Sequence, residues 1–280
     1  MRIIESCAEC LYDKQAHRSN DPEYLREVKS IIDNRQENDT SPYLVYQFNQ
    51  AYERRFGKLS SYGEIKKEYN DLVLSMEDEL RGKIEASEHP LETALSYARI
   101  GNYIDFGAMN HVDKKVFLSL FQNSGMSEHD EETLASFLAQ LSSARQFLLI
   151  EDNCGEIVLD KLFLKELQKA FPDLRMTVMV RGGEVLNDAT MDDAAYVGMD
   201  KVARIVSNGR PIAGTIYEFL SEEARQAMDE ADVILAKGQG NYESLSMQGR
   251  HIFYLFLCKC PLFMNRFHVP KLTGMFVEER

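Results

Sequence analysis

A chain of 280 residues can form one large domain or two modest ones, each with a buried core. Its 44% apolar and 28% charged residues are ordinary for a globular protein and leave no room for long disorder. The 45 acidic against 32 basic residues give a formal net charge of −13, which disfavours nucleic acid and anionic lipid as partners. Small anions stay open, because a lysine, backbone N–H groups or a metal can reverse the field locally.

The opening MRIIESCAECLYDK carries acids and thiols within its first ten positions and no apolar core segment, so it does not read as a signal peptide. No run approaches the roughly 18 apolar residues of a membrane helix. Five cysteines, an odd number without a leader, point to a reducing, cytoplasmic setting.

Residues 1–100 read as helices. Pro22 opens one with Tyr24, Leu25, Val28, Ile31 and Ile32 at helical spacing. A second fits Pro42 to Phe56, and a third fits Tyr62 to about Glu85 with Ile65, Tyr69, Leu72, Val73, Met76 and Leu80 on one stripe. Pro90 begins another through Leu91, Ala94, Leu95 and Ala98. The acidic run His129-Asp130-Glu131-Glu132 reads as the solvated start of a helix.

From residue 146 the pattern alternates. Strands are expected at Phe147–Ile150, Met176–Val180, Val202–Val206, Val233–Ala236 and His251–Leu257, with helices at Gly155–Phe171, Met191–Met199 and Gly214–Asp229 between them. This order predicts a parallel sheet in a three-layer α/β/α domain over residues 101–280, preceded by an all-helical N-terminal domain over 1–100.

In such sheets ligands bind at the carboxyl ends of the strands, so the residues there are the candidates. Glu151-Asp152-Asn153-Cys154-Gly155-Glu156 follows the first strand. Arg181-Gly182-Gly183-Glu184 follows the second and runs into Asn187-Asp188-Ala189-Thr190. Lys237-Gly238-Gln239-Gly240-Asn241 follows the fourth, and Gly101-Asn102-Tyr103-Ile104-Asp105-Phe106-Gly107 precedes the sheet. Carboxylate and amide oxygens at adjacent strand ends suit a hard cation such as Mg²⁺ or Mn²⁺. A Lys-Gly-x-Gly-Asn segment suits an anion, through the lysine charge and close backbone N–H groups. Each cluster taken alone is also an ordinary turn or helix cap.

Together these four ordered motifs resemble the damage-control phosphatase family, also called the acidic-residue-methyltransferase-like metal-binding domain family. The resemblance runs from about residue 100 to the end of the chain, and the early Cys7-x-x-Cys10 is similar to the family's microbial branch. It implies a helical region joined to an α/β domain, a bound divalent cation (Mg²⁺ or Mn²⁺, with Co²⁺ or Ni²⁺ open) and hydrolysis of a small phosphorylated metabolite. By motif match, Asp152, Asn153 and Asp188 would ligate the metal and Lys237 would meet the phosphate. Asp152, Asp188 and Lys237 are then the catalytic candidates, and Asn102, Asp105, Asn187, Gly238, Gly240 and Asn241 the substrate contacts. Cys154 departs from the small Ala or Ser expected there, which raises the question of redox sensitivity.

Two rivals stand beside this reading. One is an S-adenosylmethionine-dependent carboxyl methyltransferase, although the first strand end lacks a Gly-x-Gly loop. The other is a non-enzymatic module that binds a metal or phosphate ligand. Cys7, Cys10, Cys258 and Cys260 could form a four-thiolate metal site if the chain ends meet, and buried or incidental thiols are the plainer reading.

Overall fold

In a computed structural model, residues 1–105, 113–121 and 128–280 are described. The chain begins with α1 (Glu5–Arg18), α2 (Pro22–Asp33) and α3 (Ser41–Phe56). The Asp21 carboxylate caps α2 by accepting from the Glu23 and Tyr24 N–H groups at 3.1 and 2.8 Å, and Pro22 sits at its first turn. These three helices share a small core of their own, made by Leu11, Tyr24, Val28, Leu44 and Phe48.

The helix expected from Tyr62 to Glu85 is two, α4 (Gly63–Leu74) and α5 (Glu77–Glu85). Ser75 Oγ donates to the Leu72 carbonyl at 2.6 Å, and Met76 N–H bonds the Val73 carbonyl in a tightened turn. A serine competing for backbone acceptors in this way breaks the helical ladder. Next come α6 (Pro90–Gly101), α7 (Lys114–Leu120) and α8 (Glu128–Leu141).

The α/β part then runs β1 (Gln146–Ile150), α9 (Glu156–Ala170), β2 (Arg175–Val180), α10 (Met191–Tyr196), β3 (Arg204–Ser207), α11 (Glu222–Glu230), β4 (Val233–Lys237), α12 (Gly238–Leu245), β5 (Ile252–Leu257), α13 (Pro261–Phe267) and β6 (Gly274–Glu279). The helix expected over Gly214–Asp229 forms only from Glu222, where Ser221 Oγ accepts from the Ala224 N–H. The segment Lys237–Asn241, expected as a loop, is the last residue of β4 and the first turn of α12.

The six strands lie in the order β3-β2-β1-β4-β5-β6, parallel except for β6, which pairs antiparallel with β5. Alternate residues of each strand enter opposite cores. Phe147, Leu149, Val178, Leu235 and Leu255 pack with α4, α5, α6 and α9 on one face. Leu148, Ile150, Met179, Ile234, Tyr254 and Phe256 pack with α11, α12 and α13 on the other. The fold is thus the expected three-layer α/β arrangement. The first of these cores is continuous from Tyr69 through Ile104 to the sheet, so α4–α6 cover the sheet as one of its layers. Among the described residues no helix is long and apolar enough to cross a membrane.

The acidic run at the start of α8 corrects one expectation. Glu131 and Glu132 are exposed, but Asp130 is only 2% exposed. Its Oδ2 accepts from Arg99 Nη1 at 2.7 Å, and its Oδ1 accepts from the Phe276 N–H at 3.1 Å. One carboxylate therefore ties α6, α8 and the edge strand β6 together. Breaking a buried pair leaves a charge without its counterion, so Asp130→Ala should lower the unfolding free energy by about 3–5 kcal/mol. The midpoint of urea unfolding measures this, and a change under about 1 kcal/mol would match an exposed, weak pair instead.

Candidate active site

From β1 the chain steps to β2 on one side, whereas β4 lies on the other, so the carboxyl ends of β1 and β4 flank the switch point of the sheet. Beside it the residues that follow β1 meet those that follow β2. Ala189 N–H donates to the Asp152 carbonyl and Cys154 N–H to the Asn187 carbonyl, each at 2.8 Å, around an antiparallel bridge between Asn153 and Asp188. This backbone pairing brings together the two loops that carry the expected metal ligands. Gly155 turns the first loop into α9 at φ +72°.

Asp152 Oδ2 accepts from Asn102 Nδ2 at 2.9 Å and Asn153 Nδ2 at 2.7 Å. The same two amides also donate to Glu156 Oε2, at 3.2 and 2.9 Å. Asn102 is held in turn by the Leu257 N–H, which donates to its Oδ1 at 3.0 Å. Gly238 has φ +78°, and a Cβ there would lie 1.9 Å from Asp152 Oδ2, so only glycine lets α12 start against this carboxylate. Gly240 is constrained similarly, since its Cβ would lie 2.3 Å from the Ala213 carbonyl oxygen.

Arg181 is the central residue that the motifs did not single out for a role. Its guanidinium is 1% exposed and spans the site. Nε donates to Asp188 Oδ2 at 2.7 Å, Nη2 to Asp152 Oδ1 at 3.4 Å, and Nη1 to Asn241 Oδ1 and the Gly214 carbonyl at 3.1 Å each. The available signal was an arginine directly after the buried end of β2, where a charge requires partners.

Lys237 is placed differently from the phosphate contact expected of it. It is fully buried, and its three N–H donors are spent on Glu156 Oε1 at 2.8 Å, Asp160 Oδ1 at 2.5 Å and the Ala98 carbonyl at 3.0 Å. Burial pulls its pKa down, but Asp160, Glu156 and Glu151 more than reverse this, so the ammonium stays charged. Asn187 also turns away from the cluster, donating to the Ile104 carbonyl at 2.9 Å, which fixes the turn after Asn102. Asp105 in that turn pairs with Lys259 Nζ at 2.7 Å. Asn241 donates to the Glu151 and Lys237 carbonyls and locks α12 to the strand ends. Phe106 and Gly107 of the same motif lie outside the described residues.

The charges do not balance. Glu151, Asp152, Glu156, Asp160, Asp188 and Asp105 gather around Arg181, Lys237 and Lys259, an excess of three formal negative charges. Burial, and then the charges of Asp188, Glu156 and Asp105, push the Asp152 carboxyl well above the usual range. Burial raises Asp188 to about 6 even though Arg181 pulls it back. Because its pKa is raised in the folded state, ionising Asp188 costs stability as pH rises through about 6. Hard oxygen donors in an under-neutralised, buried cluster fit a divalent cation. Among the described residues no group of three or more Asp, Glu, His or Cys side chains is placed to hold a metal, so a ligand set at this point would have to add the Asn153 amide oxygen to the two carboxylates.

The model of the damage-control phosphatase ARMT1-like domain matches residues 1–272. The chain belongs to this family. A damage-control phosphatase of Archaeoglobus fulgidus is 30% identical over 275 residues, with 93% of each chain covered. The damage-control phosphatase PH1575 of Pyrococcus horikoshii is 29% identical over 212 residues, covering 74% of this chain and 71% of the relative. A crystal structure of a DUF89 family protein, PH1575 from Pyrococcus horikoshii, superposes over the whole of both chains with a TM-score of 0.80 at 23% identity, a shared fold.

Family membership leaves the thiols to be placed by the structure. Cys154 is fully buried and burial pushes its thiol far up, so it is a packed side chain with no reactive thiolate. The start of the chain lies against α12 and α13, since the amino group of Met1 donates to the Glu243 carbonyl at 2.5 Å and Arg266 Nη1 lies 3.7 Å from Met1 Sδ. Cys7, Cys10 and Cys260 are near enough to influence one another electrostatically, and Cys260 also influences Cys258, which is buried in the core under α12 and α13. All five are free thiols.

The two readings of Lys237 separate experimentally. A lysine that only touches phosphate can be removed with little effect on folding, whereas Lys237→Met should strand Glu156 and Asp160 as buried charges. The expected loss is about 3–5 kcal/mol of unfolding free energy, measured by chemical denaturation of the metal-free protein. A variant as stable as the parent, with only its rate reduced, would return Lys237 to the role of phosphate contact.

Proposed function

We propose that this member of the damage-control phosphatase family hydrolyses small phosphomonoesters with a divalent cation held by Asp152, Asn153 and Asp188. The supporting observation is the excess of acid at the switch point of the sheet, where among the described residues Arg181 is the cation paired directly with Asp152 and Asp188. When bound, the cation supplies charge neutralisation for the phosphoryl group and a template for in-line attack. The chain's own residues provide the rest. Arg181 fixes the two carboxylates relative to each other, and Asn102 orients Asp152 from the opposite side.

Phosphate recognition moves from the Lys237 side chain to the start of α12. The first N–H groups of a helix lack intrahelical acceptors and form the positive end of its dipole. Gly238 brings that end against Asp152 because it has no side chain. Lys237 then acts from below, offsetting Glu156 and Asp160 so that the cluster tolerates an anion above it. The metabolite is an anion small enough for a buried site, and the net charge of −13 keeps nucleic acid out of consideration. A carboxyl methyltransferase would need a glycine-rich loop for its cofactor after β1, where Asp152-Asn153-Cys154 stands instead.

Turnover of p-nitrophenyl phosphate or a sugar phosphate should vanish on chelation and return with Mg²⁺, Mn²⁺, Co²⁺ or Ni²⁺. Asp188→Ala should lose metal binding in isothermal titration and at least about a hundredfold in rate together. Full turnover in excess chelator, or an Asp188→Ala variant that keeps both metal and rate, would contradict the assignment.

A further inference from the structure

The helix α4, part of the layer that covers the sheet, also touches both loops of the site. Asn70, 1% exposed, accepts the Gly155 N–H on its Oδ1 at 2.6 Å, directly after Asp152-Asn153-Cys154. Its Nδ2 donates to Asp193 Oδ1 at 3.0 Å. Asp193 Oδ2 in turn accepts the Thr190 N–H at 2.9 Å and Thr190 Oγ1 at 2.7 Å, so it caps the segment that begins at Asp188. Lys66, one turn before Asn70, places its Nζ 2.5 Å from Asp193 Oδ2 and 3.4 Å from Thr190 Oγ1. Lys66 and Asp193 are 6% and 8% exposed. The fit is close in the backbone as well. A Cβ on Gly155 would lie 3.0 Å from the Tyr69 carbonyl oxygen, so α4 rests directly on the turn.

We propose that Asn70, with the Lys66–Asp193 pair, is a positioning device by which the N-terminal half of the chain sets the spacing of Asp152 and Asn153 relative to Asp188. One amide side chain bridges the two loops, accepting from one and donating to the cap of the other. Supporting groups of this kind behind metal ligands typically change affinity by about 10–100-fold when removed. The device rests on the metal assignment above, and its first readout does not.

The experiment compares the wild-type chain with Asn70→Ala, Asn70→Asp and the exchange Asn70→Asp with Asp193→Asn. In metal-free protein, amide hydrogen exchange should speed up in the segments around Gly155 and Thr190 of Asn70→Ala, with β1 and β4 unchanged. Mn²⁺ affinity by isothermal titration should fall about 10–100-fold. The kcat for p-nitrophenyl phosphate should recover at saturating Mn²⁺ while KM changes little. Asn70→Asp alone sets two carboxylates against each other and should behave as badly. The exchange restores a donor facing an acceptor and should recover most of the affinity. Unchanged exchange in both loops would overturn the proposal. So would an exchange variant that regains thermal stability without regaining metal affinity, because that result assigns the residues to packing alone. A wild-type protein without metal-dependent turnover would defeat the functional reading, and the hydrogen-exchange comparison would still decide the bridge.

Discussion

Carboxylates gathered at the end of a buried strand repel one another and lose their hydration, and this cost organises the structure around them. Asp152 and Asp188 share one guanidinium, and Glu156 and Asp160 share one ammonium. Both cations sit at strand ends, Arg181 after β2 and Lys237 at the end of β4. The sheet order β2-β1-β4 brings them to either side of Glu151-Asp152-Asn153. Glycine at positions 155, 238 and 240 then allows the surrounding backbone to close in. The remaining negative charge is what a cation would neutralise, and the same charge makes the apo cluster prone to take up protons.

The helical first half does two separate things. The helices α1–α3 keep a core of their own, whereas α4–α6 share theirs with the sheet. Position 100, where the sequence changes character, therefore lies inside a continuous core. The Arg99–Asp130 pair and the Asn102 amide extend this sharing to polar groups, joining α6 to β6 and to Asp152. Stability and site geometry are coupled through these contacts, since a shift of α6 moves Asn102 with it.

Much of this was legible in the sequence because strong local signals coincided with tertiary roles. The apolar runs of β1, β2, β4 and β5 sit between polar ends, and Pro22, Pro42 and Pro90 mark helix starts that the structure keeps. The motif positions Asp152, Asn153 and Asp188 converge through backbone pairing between their loops, while Asn102 and Asn241 join them through side-chain hydrogen bonds and Gly238 through the close start of α12. Other features depend on partners far along the chain. Nothing near Asp130 says that Arg99 will bury it, and nothing near Lys237 says that Glu156 and Asp160 will consume its donors. Arg181 looked like one member of a glycine-rich turn, and Asn70 like one polar residue on an amphipathic helix. The strand β6 lies at the edge, is only partly buried and ends in Glu278 and Glu279, so its pattern is weak, and the serine that interrupts α4 and α5 is silent against a continuous apolar stripe.

The account depends on one ion in one place. Anomalous diffraction from crystals of the intact chain grown with Mn²⁺ tests it most directly. A single peak within coordination distance of the Asp152 and Asp188 carboxylates and the Asn153 amide oxygen, with Lys237 still paired to Glu156 and Asp160, is the predicted result. A well-ordered site without a peak there, or a peak held by other residues while Arg181 keeps both carboxylates, would contradict it.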